Sequence, residues 1–257
     1  QGHARSRWWA TRLGTAACAW ACLVVCPALE TEALASNAHH DRTSAGTSAP
    51  GAPPPKSYVH GPPPPWVEPL PVDVRESVDV TSARNGVYDL LHDVRWQLGP
   101  KVERYVRHVR RAVSMHGVEA AAQIGVEFEP MYQRLVLHHA TIWRDGRAID
   151  GLAAATERLL ERETELERRV YRGTLTLDLV LSDVRVGDVV DCAYTVQGSN
   201  PVFGQRGVAG ALALSGPYPT RHLSARVRYD DNVTLSFRAL GPTAPEALDA
   251  GERAQTS

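Results

Sequence analysis

The stretch TLTLDLVLSDVRVGDVVDCAYTVQGSNPVFG, residues 174–204, decides the fold. Leu175, Leu177, Leu179 and Leu181 fall on one side of an extended chain, opposite Thr174, Thr176 and Asp178. After Gly187 the rule repeats. Val190, Cys192, Tyr194 and Val196 face one way, and Asp191, Ala193 and Thr195 the other. Side chains alternate across a strand, so a period of two marks half-buried antiparallel strands. Gly187-Asp188 supplies the turn between them.

The same patterning extends outward on both sides. In VYDLLHDVRWQL, residues 87–98, Leu90, Val94, Trp96 and Leu98 share one parity, interrupted by His92. Gly99-Pro100 turns the chain. Residues 101–113 follow, with Tyr105, Val109 and Val113 on one side. There His108, Arg110 and Arg111 form a local basic patch, which reads as a solvated outer face. The alanines of residues 117–123 predict a short helix. Residues 124–128 resume strand character until Pro130. QRLVLHHATIW, residues 133–143, alternates through His138 and His139, which as strand neighbours point to opposite faces. Arg144-Asp145-Gly146-Arg147 is a hairpin turn with Asp-Gly at its positive-φ corner.

Residues 155–170 read either way. Leu159, Leu166 and Val170 fit a helical face with Glu165 four residues before Arg169, but like-charged glutamates at the same spacing weaken that helix. Residues 222–229 and 233–239 alternate again around Asp230-Asp231-Asn232, predicting a second hairpin with one wet face. Many short strands with Gly and Asp turns predict a mostly β fold. It is expected as an antiparallel β-sandwich, or as twisted β-sheets, with a short connecting helix.

The 257 residues divide by composition. Arg5, Arg7 and Arg12 precede an apolar run from Leu13 to Leu29, and Ala33-Leu34-Ala35 gives a small-x-small exit. That order reads as a secretory signal peptide over 1–35, cleaved after Ala35. An uncleaved membrane anchor and a lipid on Cys26 are the alternatives, and only these bring a membrane into the reading. Residues 36–84, with proline runs at Pro53–Pro55 and Pro62–Pro65, read as a disordered linker, with Trp66 and Val67 clamping onto the domain edge. The β domain is expected over 85–241, and residues 242–257 as a linker or a truncated C-terminal end.

Composition also removes function classes. Lys and Arg total 28 against 29 Asp and Glu, so no global field draws nucleic acid, and no aromatic series accompanies the basic patch. Cys18, Cys22 and Cys26 lie within the signal, without histidine or carboxylate among them, which leaves Cys192 as the sole cysteine of the mature chain. Cys192 shares the apolar parity of Val190 and Tyr194 and reads as core, where a thiol stays protonated. Glu163 and Glu165 have no nucleophile or substrate anchor beside them. No catalytic, cofactor-binding or metal-ligating residue is expected, and no cofactor.

These motifs in order carry a resemblance. GVYDLLHDVRWQL, Glu127-Phe128-Glu129-Pro130 with Tyr132-Gln133-Arg134-Leu135, LHHATIWRDGRAID, RETELERRVYRG, the 183–190 run and YTVQGSNPVFG span roughly residues 86–241. Together they resemble the bacterial domain of unknown function 3857 family, which commonly precedes a transglutaminase-like domain in exported or envelope proteins. The resemblance implies a non-catalytic accessory or interaction domain in the periplasm or cell envelope, with a protein or an envelope polymer as partner. The alternative is a stand-alone envelope enzyme, a peptidase or transglutaminase-like hydrolase, whose catalytic part is missing from this chain. Among matching polar residues, Arg134, Glu163, Arg169, Arg185, Asp188 and Asn200 are the structural or interaction candidates. Arg185 and Asp188 are expected to fix the 174–196 hairpin, and Glu163 or Arg169 to bridge strands.

Overall fold

The computed structural model describes residues 5–11, 20–24, 58–161, 173–202, 209–213, 216–230 and 236–240; for 5–11, 20–24, 209–213 and 236–240 it describes the backbone alone. Within these residues the chain is predominantly β, with one short α-helix, as its patterning predicts. An eight-stranded sheet dominates. In chain order its strands are β1 (Arg5–Thr11), β3 (Tyr58–His60), β4 (Val87–Leu98), β5 (Glu103–Ala112), β7 (Arg134–Arg144), β8 (Arg147–Asp150), β11 (Val189–Gln197) and β13 (Thr220–Tyr229). Their spatial order is β1-β13-β4-β5-β11-β7-β3, with β8 paired to β7. A second sheet holds β6 (Gln123–Phe128), β9 (Thr156–Glu161) and β10 (Leu175–Val180) in the order β6-β10-β9. A third joins β2 (Trp20–Val24), β12 (Ala209–Ala213) and β14 (Ser236–Leu240). Most pairs are antiparallel, but β13 runs parallel to β4 and β3 parallel to β7.

The opening stretch forms its two strands, but not a hairpin. β10 pairs with β6 and β9, whereas β11 pairs with β5 and β7 in the large sheet. The chain between them arches from one layer to the other. Leu175, Leu177, Leu179 and Leu181 therefore face Val190, Cys192, Tyr194 and Val196 across one shared core. Each leucine is at most 4% exposed, and full burial of such a side chain contributes roughly 1.5–3 kcal/mol. A hairpin would set the two apolar rows side by side in one sheet; the arch sets them face to face.

Residues 58–84 correct the linker boundary. Tyr58–His60 adds an edge strand beside β7, and the following proline-rich segment runs across the outer face of the large sheet as a strap. Val67 is buried with Tyr105 and Ala193, and Trp66 packs on that cluster, so the two residues clamp onto the central strands β5 and β11 rather than onto the domain edge. Leu70, Val72, Val74 and Val78 cover Leu90, Leu91, Val109 and Val189. The strap explains why every residue from Val189 to Val196 is buried, including Asp191 and Thr195 on the side opposite the shared core. Residues 36–57 lie outside the described residues.

Other local expectations meet the structure in different ways. The helix α1 runs Met115–Ala122, with Ser114 Oγ accepting the Gly117 N–H at its start. Asp145 and Gly146 take φ of 51° and 75°, closing the predicted β7–β8 hairpin. Residues 156–161 form a strand rather than a helix, and residues 162–172 lie outside the described residues. The predicted 222–239 hairpin is absent from the pairing: β13 lies between β1 and β4, and β14 pairs with β2. Its expected wet face is covered only in part: Ser224 and Arg226 are buried, whereas His222 is exposed. Among the described residues no helix is long and apolar enough to cross a membrane.

Candidate functional site

Two polar groupings lie on opposite faces of the large sheet. The first lies beneath the strap. Arg107 on β5 donates Nε and Nη2 to the two carboxylate oxygens of Asp191 on β11, at 2.9 and 2.7 Å, and Nη1 to the carbonyl of Leu70 at 2.8 Å. Burial alone would raise the Asp191 carboxyl, but the hydrogen bonds from Arg107 and His139 outweigh it and hold the group at about 2. Next to it, Arg95 Nε donates to Asp93 at 2.8 Å, both side chains 1% exposed. Burial pushes the nearby Tyr105 hydroxyl up to about 12.

The strap is bound through its backbone as much as through its side chains. A proline-rich segment has few N–H groups but a full set of carbonyl acceptors. Arginines on the sheet use them: Arg111 donates to the Val74 carbonyl at 2.6 Å and Arg228 to that of Trp66 at 3.1 Å. Trp66 in turn donates its indole N–H to Glu103. The basic patch at residues 108–111 is thus not a solvated face. Arg111 is tied to the strap, and Arg110 and His108 point into the other side of the sheet.

His138 and His139 depart from the sequence reading for a local reason. The β11–β7 register shifts between Ala193 and Tyr194, where His138 is the extra residue on β7. A bulge of this kind lets consecutive side chains serve one face. His138 Nε2 lies 2.7 Å from Thr195 Oγ1 and His139 Nε2 lies 3.1 Å from Asp191, both partners being on the strap side.

The second grouping is Asp89, His92 and His108, whose potential donor atoms all lie within 4.8 Å of one another. His92 on β4 is the register partner of His108 on β5, and their rings meet edge to face at 4.4 Å. Arg110 donates Nε to Asp89 at 2.8 Å and stands 4.6 Å from the Tyr218 ring. Burial holds His108 well below its ordinary value, and His92 and Arg110 push the same way. Burial lowers His92 as well, against the opposing pull of Asp89. Both rings are therefore held in the neutral form that ligates metals. The sequence reading passed over this trio. Its one visible trace was His92 breaking an apolar parity, and pairing it with His108 requires the strand register.

Cys192 lies beside this grouping, as the register partner of His108 on β11. It is 1% exposed, and burial pushes its thiol up to about 12. A protonated, sealed thiol is not a nucleophile.

The residues singled out from the sequence do not converge. Arg134 is exposed at the start of β7, opposite Gln197. Asn200 makes a local turn, its Oδ1 accepting the Val202 N–H at 2.9 Å. Glu163 and Arg169 lie outside the described residues. Arg185 and Asp188 do meet, in the arch rather than in a hairpin: the Arg185 N–H donates to Asp188 Oδ2 at 2.8 Å. The residue that the sequence reading missed there is Arg144. It donates to both oxygens of buried Asp188, at 3.0 and 2.8 Å, and to the side chain and carbonyl of Asp183. It clamps the arch to the β7–β8 hairpin.

Comparison with known proteins adds the following. Among solved structures, the chain is similar to a "putative protease" from Parabacteroides distasonis ATCC 8503, with 11% identity and a TM-score of 0.40. That match covers 44% of this chain and only 23% of the other. It is also similar to a family IIIa CBD from Clostridium cellulolyticum, with 12% identity, a TM-score of 0.27, and 44% and 73% of the two chains covered. A third match is collagen adhesin from S. aureus, with 9% identity, a TM-score of 0.25, and 58% and 51% covered. No curated protein matches the chain significantly. The family model described as Domain of Unknown Function with solved-structure structure (DUF3857) matches residues 100–256, more than half of the sequence and most of the β domain. The chain belongs to the DUF3857 family.

Proposed function

We propose that this chain is a non-catalytic accessory or interaction domain of an exported bacterial protein, working beside a transglutaminase-like domain. One observation carries the reading. The one cysteine expected in the mature chain, Cys192, is sealed in the core with its thiol pushed up to about 12. Beside it Asp89 is held by Arg110, and elsewhere the carboxylates that could serve acid–base chemistry are paired too: Asp191 with Arg107 and Asp93 with Arg95 on the strap face, Asp188 with Arg144 in the arch. Two loops supply a contact surface. The 129–133 turn meets Gly198 closely, and Met131 and Val202 on these loops are 90% and 84% exposed. Large apolar side chains left open on neighbouring loops suit a protein partner. Both loops also lie in stretches that carry the family resemblance. Export rests on the N-terminal order of arginines, apolar run and small-residue exit alone. The pairing of Arg5–Thr11 and Trp20–Val24 as β1 and β2 runs against removal of that segment.

The test is to titrate the purified chain with the transglutaminase-like domain of a DUF3857 protein by calorimetry, and to assay the chain alone for hydrolysis and for native thiol alkylation. A complex weakened by Met131→Asp or Val202→Asp, with no turnover and with slow Cys192 labelling, is expected. Fast selective labelling of Cys192, or turnover by the chain alone, overturns the non-catalytic reading.

A further inference from the structure

We propose that Asp89, His92 and His108 form a binding site for a divalent metal ion of the zinc class, built from two imidazoles and one carboxylate on adjacent strands. The argument begins with strand parity. Asp89 and His92 are three residues apart, so in a regular strand their side chains would point to opposite faces. They do not, because β4 carries a register shift between Asp89 and Leu91: Asp89 pairs with Arg110 and Leu91 with Val109, which leaves Leu90 as the extra residue. Leu90 and Leu91 both go to the strap side, and Asp89 and His92 come to the opposite face with His108. Bulges of this kind re-aim side chains and recur beside functional sites. Here the bulge assembles the trio.

The surroundings then favour a ligand over a simple core histidine pair. His108 Nδ1 is sealed from solvent and has no hydrogen-bond partner, a costly state for a buried ring nitrogen. The loop at 216–219 closes over the trio: a Cβ at Gly216 would lie 4.0 Å from His92 Nδ1, and the Pro219 carbonyl accepts the Asp89 N–H at 2.9 Å. Donor atoms already within 4.8 Å need small side-chain rotations to reach the roughly 3.3 Å separations of tetrahedral zinc. Two imidazoles with one carboxylate suit zinc, nickel or copper rather than calcium or magnesium, which prefer all-oxygen shells. Arg110 holds the carboxylate from outside, as the hydrogen-bonding partners of ligating carboxylates commonly do. Its charge opposes a dication, so binding is weaker than at a closed four-ligand site. Three protein donors also leave one coordination position for water or an anion. An ion here ties β4 to β5, next to the arginine that contacts the Tyr218 loop.

Equilibrium dialysis of the full chain against zinc chloride tests the site. One ion per chain is expected for the wild type and for the double variant His39→Asn, His40→Asn, which removes the histidine pair in the N-terminal segment. His92→Asn and His108→Asn, each checked for folding by circular dichroism, should bind at least about tenfold more weakly. Absence of binding by the wild type, or equal binding by the folded ring variants, overturns the proposal. If the ring variants do not fold, zinc-edge X-ray absorption of the wild-type complex decides. Two imidazoles and no sulfur support the site. Sulfur in the shell would put a cysteine among the ligands, either Cys192 beside the trio or Cys18, Cys22 and Cys26 in the N-terminal segment. It would contradict a site of two imidazoles and one carboxylate, as would fewer than two imidazoles.

Discussion

At Asp191, burial and pairing act in opposite directions on one carboxylate, and pairing wins. Its folded value of about 2 lies below the value of about 3.9 in an unfolded chain. The stability this adds is therefore present above about pH 4 and is lost as pH falls toward 2. The amount is on the order of 2 kcal/mol. Asp191→Asn should abolish that part of the acid transition. At pH 7 it should also cost about 3–5 kcal/mol, because Arg107 is left buried without its counter-charge. Urea melts of both proteins from pH 2 to pH 7 check this; an unchanged acid limb would assign that transition to other carboxylates. At this scale the sequence was half legible. Cys192 reads correctly as core because its parity matches Val190 and Tyr194. Asp191 reads as wet by the same rule, and only the strap, more than a hundred residues away in sequence, makes it buried.

Between elements, one contact sets where α1 meets the sheet. Gly117 in the first turn of α1 lies so close to the Asn85-Gly86 turn that an added Cβ would fall 1.7 Å from the Gly86 carbonyl oxygen. Helix propensity favours alanine over glycine by about 1 kcal/mol. Overlap with backbone cannot be relieved by a rotamer change, so the steric cost dominates. Gly117→Ala is expected to destabilise by at least about 2 kcal/mol, measured by thermal unfolding. A neutral or stabilising result would mean that the helix sits further from the turn. Local connections of this kind were legible: the Asp145-Gly146 hairpin follows from turn chemistry and the short helix from its alanines, although the Ser114 cap, which starts it at Met115 rather than at the predicted Gly117, was not read. The arch between β10 and β11 was not. Alternation is identical whether two strands pair in one sheet or face each other across two, and the choice is made by β5, β6, β7 and β9 as competing partners. The clamp from Arg144 to Asp183 and Asp188 was hidden for the same reason, since its ends are far apart in sequence.

At the scale of the whole molecule, the large sheet has no bare face where the strap runs, and the fold begins well before its first predicted strand. A polar layer of Asp93, Arg95, Arg107 and Asp191 is tolerable in the interior only while its charges stay paired and Arg107 keeps the strap carbonyl of Leu70, as Arg111 beside it keeps that of Val74. The sequence pointed the other way, because proline runs and low periodicity usually mark a linker. The valines and leucine between the prolines are too sparse to announce a covering layer. That the strap is part of the folding unit is the central claim, and truncation tests it directly. Two chains would be compared by urea unfolding, one starting at Ser57 and one at Asn85. The chain from Ser57 should unfold in one cooperative transition. The chain from Asn85, with Leu90, Leu91, Val109 and the buried ion pairs uncovered, should lose several kcal/mol, on the order of 3–5, or fail to fold cooperatively. Equal midpoints and slopes for the two chains would contradict the claim and restore residues 58–84 to the role of a linker.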